Sequence, residues 1–203
     1  MKRLNIGIVN YEIGNYASLQ NTIHQIGYRC QISHDKKLLN KCDILLLPGV
    51  GAFRPAMEAI KKKGLDSFLV EQARHQRPIL GICLGMQLLS DGSYENGYSK
   101  GLGLIPGEII PLKNPRWHIG WNNIKILRND SLFESSNGKS FYFNHSHTYQ
   151  GPTQYQVCKA MANKAIVASI RRQKVLGIQF HPEKSQLEGK ILLKHLLSKI
   201  DNA

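Results

Sequence analysis

The segment Ile79-Leu80-Gly81-Ile82-Cys83-Leu84-Gly85 (ILGICLG, residues 79–85) decides the fold of this chain. Its first five residues form an apolar run of strand length, and a helical pattern starts near Leu84. Gly81 and Gly85 stand two residues either side of Cys83, the spacing of a sharp strand-to-helix turn that exposes a nucleophile. The segment therefore predicts a thiol above the end of a strand. The helix N-terminus would favour its thiolate, and the Leu84 N–H would face a developing oxyanion. A buried structural thiol with glycines that only permit close packing is the alternative.

The residues before this segment alternate between strand and helix patterns. The predicted strands cover residues 4–10, 30–34, 43–47 and 79–83, and the predicted helices cover residues 15–26, 54–63 and 65–75. Asn15 is the expected cap of the first helix, which Gly27 ends. Such alternation indicates a parallel sheet that is covered by helices on both faces.

After Gly101 the pattern becomes more antiparallel. We expect strands at residues 109–112, 123–127, 140–145, 156–160, 166–171 and 175–180, and a closing amphipathic helix at 187–200. The 203 residues contain no repeat or low-complexity linker. We therefore predict a single α/β domain over residues 1–203, with a mixed, largely parallel sheet and flanking helices.

The segment Gly177-Ile178-Gln179-Phe180-His181-Pro182-Glu183-Lys184-Ser185 (GIQFHPEKS) is the second candidate site. His181 follows the last predicted strand, and Pro182 forces a turn there. Glu183 is close enough to orient the imidazole. A cysteine nucleophile needs a group that removes and returns a proton, and a histidine held by a carboxylate does both. Sites in open α/β sheets gather at the carboxyl ends of strands, where Cys83 and His181 both stand.

A third motif, Pro48-Gly49-Val50-Gly51, follows a predicted strand. Two glycines around one residue allow a peptide plane to turn an N–H towards a ligand. Together with the Leu84 N–H, this loop could complete an oxyanion hole. The alternative is an ordinary strand-to-helix turn.

The composition limits the class of protein. No stretch approaches the roughly 20 apolar residues of a membrane span, and the first apolar run is too short for a signal peptide, so we expect a cytoplasmic protein. The 27 basic and 14 acidic residues give a net charge of +13. No aromatic-basic motif accompanies them, which favours an acidic partner surface or an anionic substrate over nucleic acid. The four cysteines form no CxxC pair, and His118, His145 and His147 have no carboxylate or cysteine cluster, so no metal site is expected.

The motifs PGVGAF (48–53), GICLGMQ (81–87) and GIQFHPEKS (177–185) resemble, in order and spacing, the triad-type (class I) glutamine amidotransferases, which have a flavodoxin-like α/β fold. Gly14-Asn15, GLGLIPG (101–107), GWN (120–122) and YFNHSH (142–147) make the chain more specifically similar to the glutaminase subunit of imidazole glycerol phosphate synthase, the HisH family. The resemblance covers nearly the whole chain.

This resemblance implies hydrolysis of L-glutamine without a cofactor and a heterodimer with a (β/α)₈-barrel cyclase, into which ammonia passes for histidine biosynthesis. Neither nucleic acid nor a membrane is implied. The catalytic residues would be Cys83, His181 and Glu183. The oxyanion and substrate residues would be Gly49, Val50, Gly51, Leu84, Gln87, Glu95, His145 and Ser146, and the interface residues would be Trp121, Tyr142 and Lys184.

The chain departs from this family outside the triad. The usual PHMGWN reads Trp117-His118-Ile119-Gly120-Trp121-Asn122 here, and His147 stands where the usual YFVHSY has its final tyrosine. Close relatives supply ammonia to sugar amidotransferases in surface polysaccharide (LPS) synthesis, and the motifs alone leave that acceptor open. A non-catalytic relative is disfavoured by the intact triad. A cysteine peptidase or glyoxalase-like protein is disfavoured by the His-Pro-Glu turn and by GLGLIPG.

Overall fold

A computed structural model describes residues 4–114, 116–161 and 165–202 of the chain. In these residues, strands and helices alternate up to the predicted thiol turn. The helices are α1 (Tyr16–Gln25), α2 (Lys36–Leu39), α3 (Phe53–Lys62), α4 (Leu65–Arg74), α5 (Leu84–Leu88) and α6 (Gln186–Lys199). The strands are β1 (Asn5–Val9), β2 (Arg29–Ser33), β3 (Ile44–Gly49), β4 (Ile79–Cys83), β5 (Gly92–Ser93), β6 (Ser99–Lys100), β7 (Glu108–Pro111), β8 (His118–Ile126), β9 (Ser140–His145), β10 (His147–Gln150), β11 (Gln156–Met161), β12 (Ala165–Arg172) and β13 (Val175–Ile178).

Within the described residues, nine strands form one mixed sheet in the order β2-β1-β3-β4-β13-β12-β11-β8-β9. The first five are parallel, and the remaining pairs are antiparallel. This confirms the predicted parallel half and the antiparallel character of the second half. The order also places β3, β4 and β13 side by side, so their carboxyl ends share one edge of the sheet.

Helices cover both faces of the parallel half, as predicted. Along β3, Ile44 and Leu46 pack in one apolar cluster with α1 and α6, whereas Leu45 and Leu47 pack in another with α3 and α4. All six residues of β3 are buried. Successive side chains of a strand point to opposite faces, so a strand between two helical layers must be apolar throughout.

The structure differs from the predicted elements at several boundaries. β3 continues through Pro48-Gly49, because Gly49 still pairs with Cys83 of β4. β8 begins at His118, five residues earlier than predicted. A separate four-stranded sheet, β10-β7-β5-β6, and the helix α2 were not predicted. β5 and β6 have two residues each, too few for an alternating pattern to be recognised.

No helix in the described ranges is long and apolar enough to cross a membrane.

Candidate active site

The turn at Cys83 has the strained geometry that the flanking glycines predict. Cys83 has φ 55° and ψ −111°, and it is both the last residue of β4 and the N-cap of α5. A Cβ atom on Gly81 would lie 2.6 Å from the Gly85 carbonyl oxygen, and a Cβ on Gly85 would lie 1.6 Å from the Leu47 carbonyl oxygen. Both contacts are with backbone, so only glycine fits these positions. Strain of this kind concentrates at functional sites.

His181 and Glu183 form a buried pair beside this turn. His181 Nδ1 lies 2.7 Å from Glu183 Oε1, and the two side chains are 3% and 5% exposed. Pro182 opens a short 3₁₀ turn that brings the carboxylate back to the ring. The backbone N–H of His181 donates to the Tyr142 carbonyl, and the Ser185 hydroxyl donates to the His181 carbonyl. The backbone of His181 is therefore anchored at both its N–H and its carbonyl, while Glu183 orients the ring.

The charges at this pair favour a protonated imidazole. Burial lowers the pKa of His181, but a hydrogen bond to Cys83, the Cys83 charge and the Glu183 carboxylate together outweigh it and raise that pKa to about 10. His181 would then carry a proton at neutral pH. An imidazolium next to a thiol stabilises the thiolate, which is the nucleophilic form of cysteine.

The second oxygen of Glu183 faces a small cavity. Glu183 Oε2 is buried and has no hydrogen-bond partner among the described residues. The cavity has a volume of about 10 Å³ and is lined in part by Asn15, Gly49 and Val50. That volume is close to the minimum for one water molecule. Asn15, which caps α1 as predicted, thus also stands behind the predicted catalytic pair.

A cleft of about 400 Å³ opens over Cys83. It brings together most of the predicted site residues: Val50, Gly51, Cys83, Leu84, Gln87, Glu95, His145, Ser146 and His181. Lys184, predicted for the interface, also lines it. Gly49 and Glu183 do not line the cleft and lie behind its wall, at the small cavity. The sequence analysis did not assign four further lining residues to the site: Ala52, Trp117, Asn144 and His147.

Glu95 connects the cleft with the predicted oxyanion loop. Its Oε2 accepts the backbone N–H of Phe53 at 2.8 Å. Phe53 is the first residue of α3, whose cap residue Ala52 provides no side-chain hydrogen bond. Glu95 therefore acts as the cap of α3, and it holds the C-terminal end of the Pro48–Ala52 loop against the cleft.

A chain of hydrogen bonds with fixed direction runs from the cleft along β8. His145 Nδ1 lies 2.7 Å from the His147 carbonyl, which can only accept, so Nδ1 carries the hydrogen. Burial lowers the pKa of His145 to about 3 and lowers that of His118, so both rings are neutral at pH 7. His145 Nε2 then accepts from His118 Nδ1 at 2.8 Å, and His118 Nε2 accepts from Asn122 at 2.8 Å. Both ring nitrogens of His145 are thereby occupied, which leaves none for a substrate.

The described residues include no group of three or more His, Cys, Asp or Glu side chains arranged to hold a metal ion.

The predicted interface residues form one contiguous surface at the mouth of the cleft. Trp121 and Tyr142 are paired across β8 and β9, with ring centroids 6.1 Å apart in an edge-to-face arrangement. Lys184 Nζ lies 5.8 Å from the centre of the Tyr142 ring. Trp121 is 46% exposed, and the neighbouring Trp117 and Ile119 are more exposed still. Large apolar side chains exposed together indicate a surface that another molecule covers.

Gln179 is a further residue that the sequence analysis did not assign to the site. It is fully buried, and its Nε2 lies 3.9 Å from Cys83 Sγ. The spacing could have identified it: in the strand predicted over residues 175–180, alternation would put the side chains of Gln179 and His181 on the same side.

Comparisons with family models and with known proteins point to the same family. A model of the family "Glutamine amidotransferase class-I" matches residues 8–198. The imidazole glycerol phosphate synthase subunit HisH of Carboxydothermus hydrogenoformans is 41% identical over 192 residues, which cover 93% of this chain and 96% of the relative. Subunit HisH 1 of Campylobacter jejuni is 42% identical over 198 residues, 94% of this chain and 98% of the relative.

Solved structures show the same fold at lower identity. PurLQS from Thermotoga maritima superimposes with a TM-score of 0.77 at 19% identity, and covers 97% of this chain and 99% of the matched chain. A glutamine amidotransferase from Thermotoga maritima superimposes over the full length of both chains with a TM-score of 0.75 at 16% identity. These similarities confirm the predicted α/β fold class.

Proposed function

We propose that this chain, which belongs to the class-I glutamine amidotransferase family, is the glutaminase subunit of imidazole glycerol phosphate synthase. It hydrolyses L-glutamine to L-glutamate and ammonia. The observation that carries the proposal is the identity of about 40% to HisH subunits over more than 90% of both chains. The thiol, imidazole and carboxylate gathered at one edge of the sheet support the same chemistry.

The first half of the reaction uses Cys83 and His181. The Cys83 thiolate attacks the γ-carboxamide carbon of glutamine, and the resulting oxyanion accepts hydrogen bonds from the Leu84 N–H and from an N–H of the Gly49–Gly51 loop. His181 gives its proton to the amide nitrogen, the C–N bond breaks, and ammonia leaves. A γ-glutamyl thioester remains on Cys83.

The second half reverses these roles. His181, now neutral, takes a proton from water as the water attacks the thioester carbon. The C–S bond breaks, glutamate is released, and Cys83 returns as a thiolate beside the imidazolium. Glu183, 2.7 Å from Nδ1, keeps the ring in one orientation and stabilises its charged form. Gln87 and Glu95 lie in the cleft where the amino-acid end of the substrate would bind, with Ser146 nearby.

The partner in this proposal is a cyclase (β/α)₈ barrel, bound as a heterodimer in the cytoplasm. Trp121, Tyr142 and Lys184 would face it, and ammonia would pass from Cys83 into the barrel for histidine biosynthesis. The similar HisH proteins are named as synthase subunits, which supports a multi-subunit enzyme.

The test is co-purification with the cyclase barrel from the same genome. We expect a one-to-one complex whose glutamate release rises when the ribonucleotide substrate is added and disappears with Cys83→Ser.

A glutamine-mimicking diazo-ketone should label Cys83 and spare the other thiols, Cys30, Cys42 and Cys158. If the barrel neither binds nor stimulates the chain but a sugar-dependent synthase does, the acceptor belongs to surface polysaccharide synthesis. Labelling of another cysteine would contradict the assignment of the nucleophile.

A further inference from the structure

Gln179 is a fully buried amide whose partners include the predicted nucleophile. Buried side-chain amides are rarely left without partners, and those of Gln179 are specific. Its Oε1 accepts from Gln87 Nε2 at 3.1 Å, and its own Nε2 is directed at Cys83 Sγ. The three side chains belong to β4, α5 and the segment after β13, which meet at the catalytic edge of the sheet.

The orientation of the Gln179 amide follows from a backbone group. The His147 carbonyl can only accept a hydrogen bond, so the nitrogen of the Gln87 amide must face it, at 3.5 Å. The same nitrogen donates its second hydrogen to Gln179, so the oxygen of Gln179 faces Gln87. The N–H groups of Gln179 therefore face the sulfur. If Gln179 were flipped, its nitrogen would face the Gln87 nitrogen and this bond would be lost.

Backbone hydrogen bonds anchor Gln179 and His181 in the segment that follows β13, which bends at Gln179 and Phe180. The Gln179 N–H donates to the Ala168 carbonyl, and the His181 N–H donates to the Tyr142 carbonyl. Phe180, between them, points the other way and stacks on Phe141 with ring centroids 4.4 Å apart. Two side chains from one segment thus converge on Cys83, one from each side of an anchored phenylalanine.

Besides His181, two polar groups lie near the sulfur, and they favour different protonation states of the thiol. The Asn144 carbonyl, 3.9 Å away, can accept a hydrogen bond from the neutral thiol but repels a thiolate. The side-chain amide of Gln179, whose Nε2 is also 3.9 Å away, donates to the sulfur, and this hydrogen bond is strengthened when the sulfur is charged. Both contacts are long, as catalytic hydrogen bonds often are before the substrate binds.

We propose that Gln179 donates an N–H to the Cys83 thiolate, and that Gln87 fixes the amide in the orientation that makes this possible. Gln179 is then a further catalytic residue of the glutaminase reaction, and this rests on the function proposed above. The donor acts twice, on the attacking thiolate and on the thiolate that leaves when the thioester is hydrolysed.

The test measures the thiolate directly. The full chain is treated with iodoacetamide at a series of pH values, and the rate of alkylation of Cys83 is followed by peptide mass spectrometry. Gln179→Met keeps the length of the side chain and removes the donor, and Gln179→Glu replaces the donor with a carboxylate. At pH 7 we expect alkylation to slow by about tenfold for Gln179→Met and by more for Gln179→Glu. The midpoint of the pH profile should move upward in both. His181 and Tyr11, the titratable groups that face Cys83, are kept in both variants, and Gln179→Glu adds one carboxylate beside them.

Controls separate this effect from a loss of packing. Gln72, on α4, is a buried glutamine outside this cluster, and Gln72→Met should leave the alkylation profile unchanged. If the Gln179 variants do not fold, Gln87→Met releases the amide orientation and should slow alkylation in the same direction. A Gln179→Met profile equal to that of the wild type would overturn the inference. Iodoacetamide needs neither glutamine nor a partner, so this outcome is independent of whether a synthase stimulates the chain.

Discussion

Replacing Glu183 with glutamine removes one negative charge from the buried pair and changes little else. The amide keeps the length of the side chain and can still present an oxygen to His181 Nδ1, 2.7 Å away in the wild type. The lost component is the difference between a charge-assisted and a neutral hydrogen bond, about 1–2 kcal/mol. Solvent screens this interaction little, because both side chains are 5% exposed or less. At about 1.4 kcal/mol per tenfold in rate, kcat for glutamine hydrolysis should fall by about 5- to 30-fold.

His181→Ala should cost more than Glu183→Gln. The alanine variant removes the group that we propose to transfer the proton in both halves of the reaction, a contribution of about 10²–10⁴-fold. The assay is partner-stimulated glutamate release by both variants at saturating glutamine. Glu188→Gln is the matched control, since Glu188 lies on α6 in an exposed pair with Lys139, and its kcat should be unchanged. Small and equal losses for Glu183→Gln and His181→Ala would mean that the His-Pro-Glu turn is only structural.

Three further predictions concern the turn, the pair and the partner. Gly85→Ala should lower the free energy of unfolding by about 3 kcal/mol or more, because the new Cβ meets the Leu47 carbonyl at 1.6 Å; a urea titration with an unchanged midpoint would refute this. Burial lowers the pKa of His181, but Cys83 and Glu183 raise it to about 10. The stability that protonated His181 adds to the folded state is therefore complete below pH 6.5 and is lost as the pH rises through 10. The difference in unfolding free energy between wild type and His181→Gln should shrink over this window, by no more than about 1.4 kcal/mol per pH unit, and a constant difference would contradict it. Lys184→Glu should weaken the complex more at low salt than at high salt, and titrations that show no dependence on salt would argue against a docking role for this charge.

Much of the parallel half of the fold could be predicted from the sequence. The central strands β3 and β4 are buried on both faces, so each appears as a short apolar run, and ILGIC at residues 79–83 coincides with β4. The glycines around Cys83 predicted the turn because their requirement is steric and local. The second sheet was missed because β5 and β6 are two residues long and gain their order from tertiary pairing.

Contacts in the site could be predicted between residues that are close in the chain, but not between residues that only the packing of distant elements brings together. His181 and Glu183 are two residues apart, so their contact follows from the turn between them. The hydrogen-bonded pair of His118 and His145 depends on the register of β8 against β9, which residue types alone do not give. Gln179 was overlooked because a glutamine in a predicted strand gives no signal until its neighbours are known.

The most direct test of the central claim follows the amide nitrogen of glutamine. The complex of this chain with the cyclase barrel is given the ribonucleotide substrate, L-glutamine labelled with ¹⁵N in the amide group, and an excess of unlabelled ammonium. If Cys83 releases ammonia for the barrel, the imidazole product should carry the ¹⁵N label nearly undiluted. The Cys83→Ser complex should give only unlabelled product. A wild-type product with the isotope content of the free ammonium pool would contradict the account.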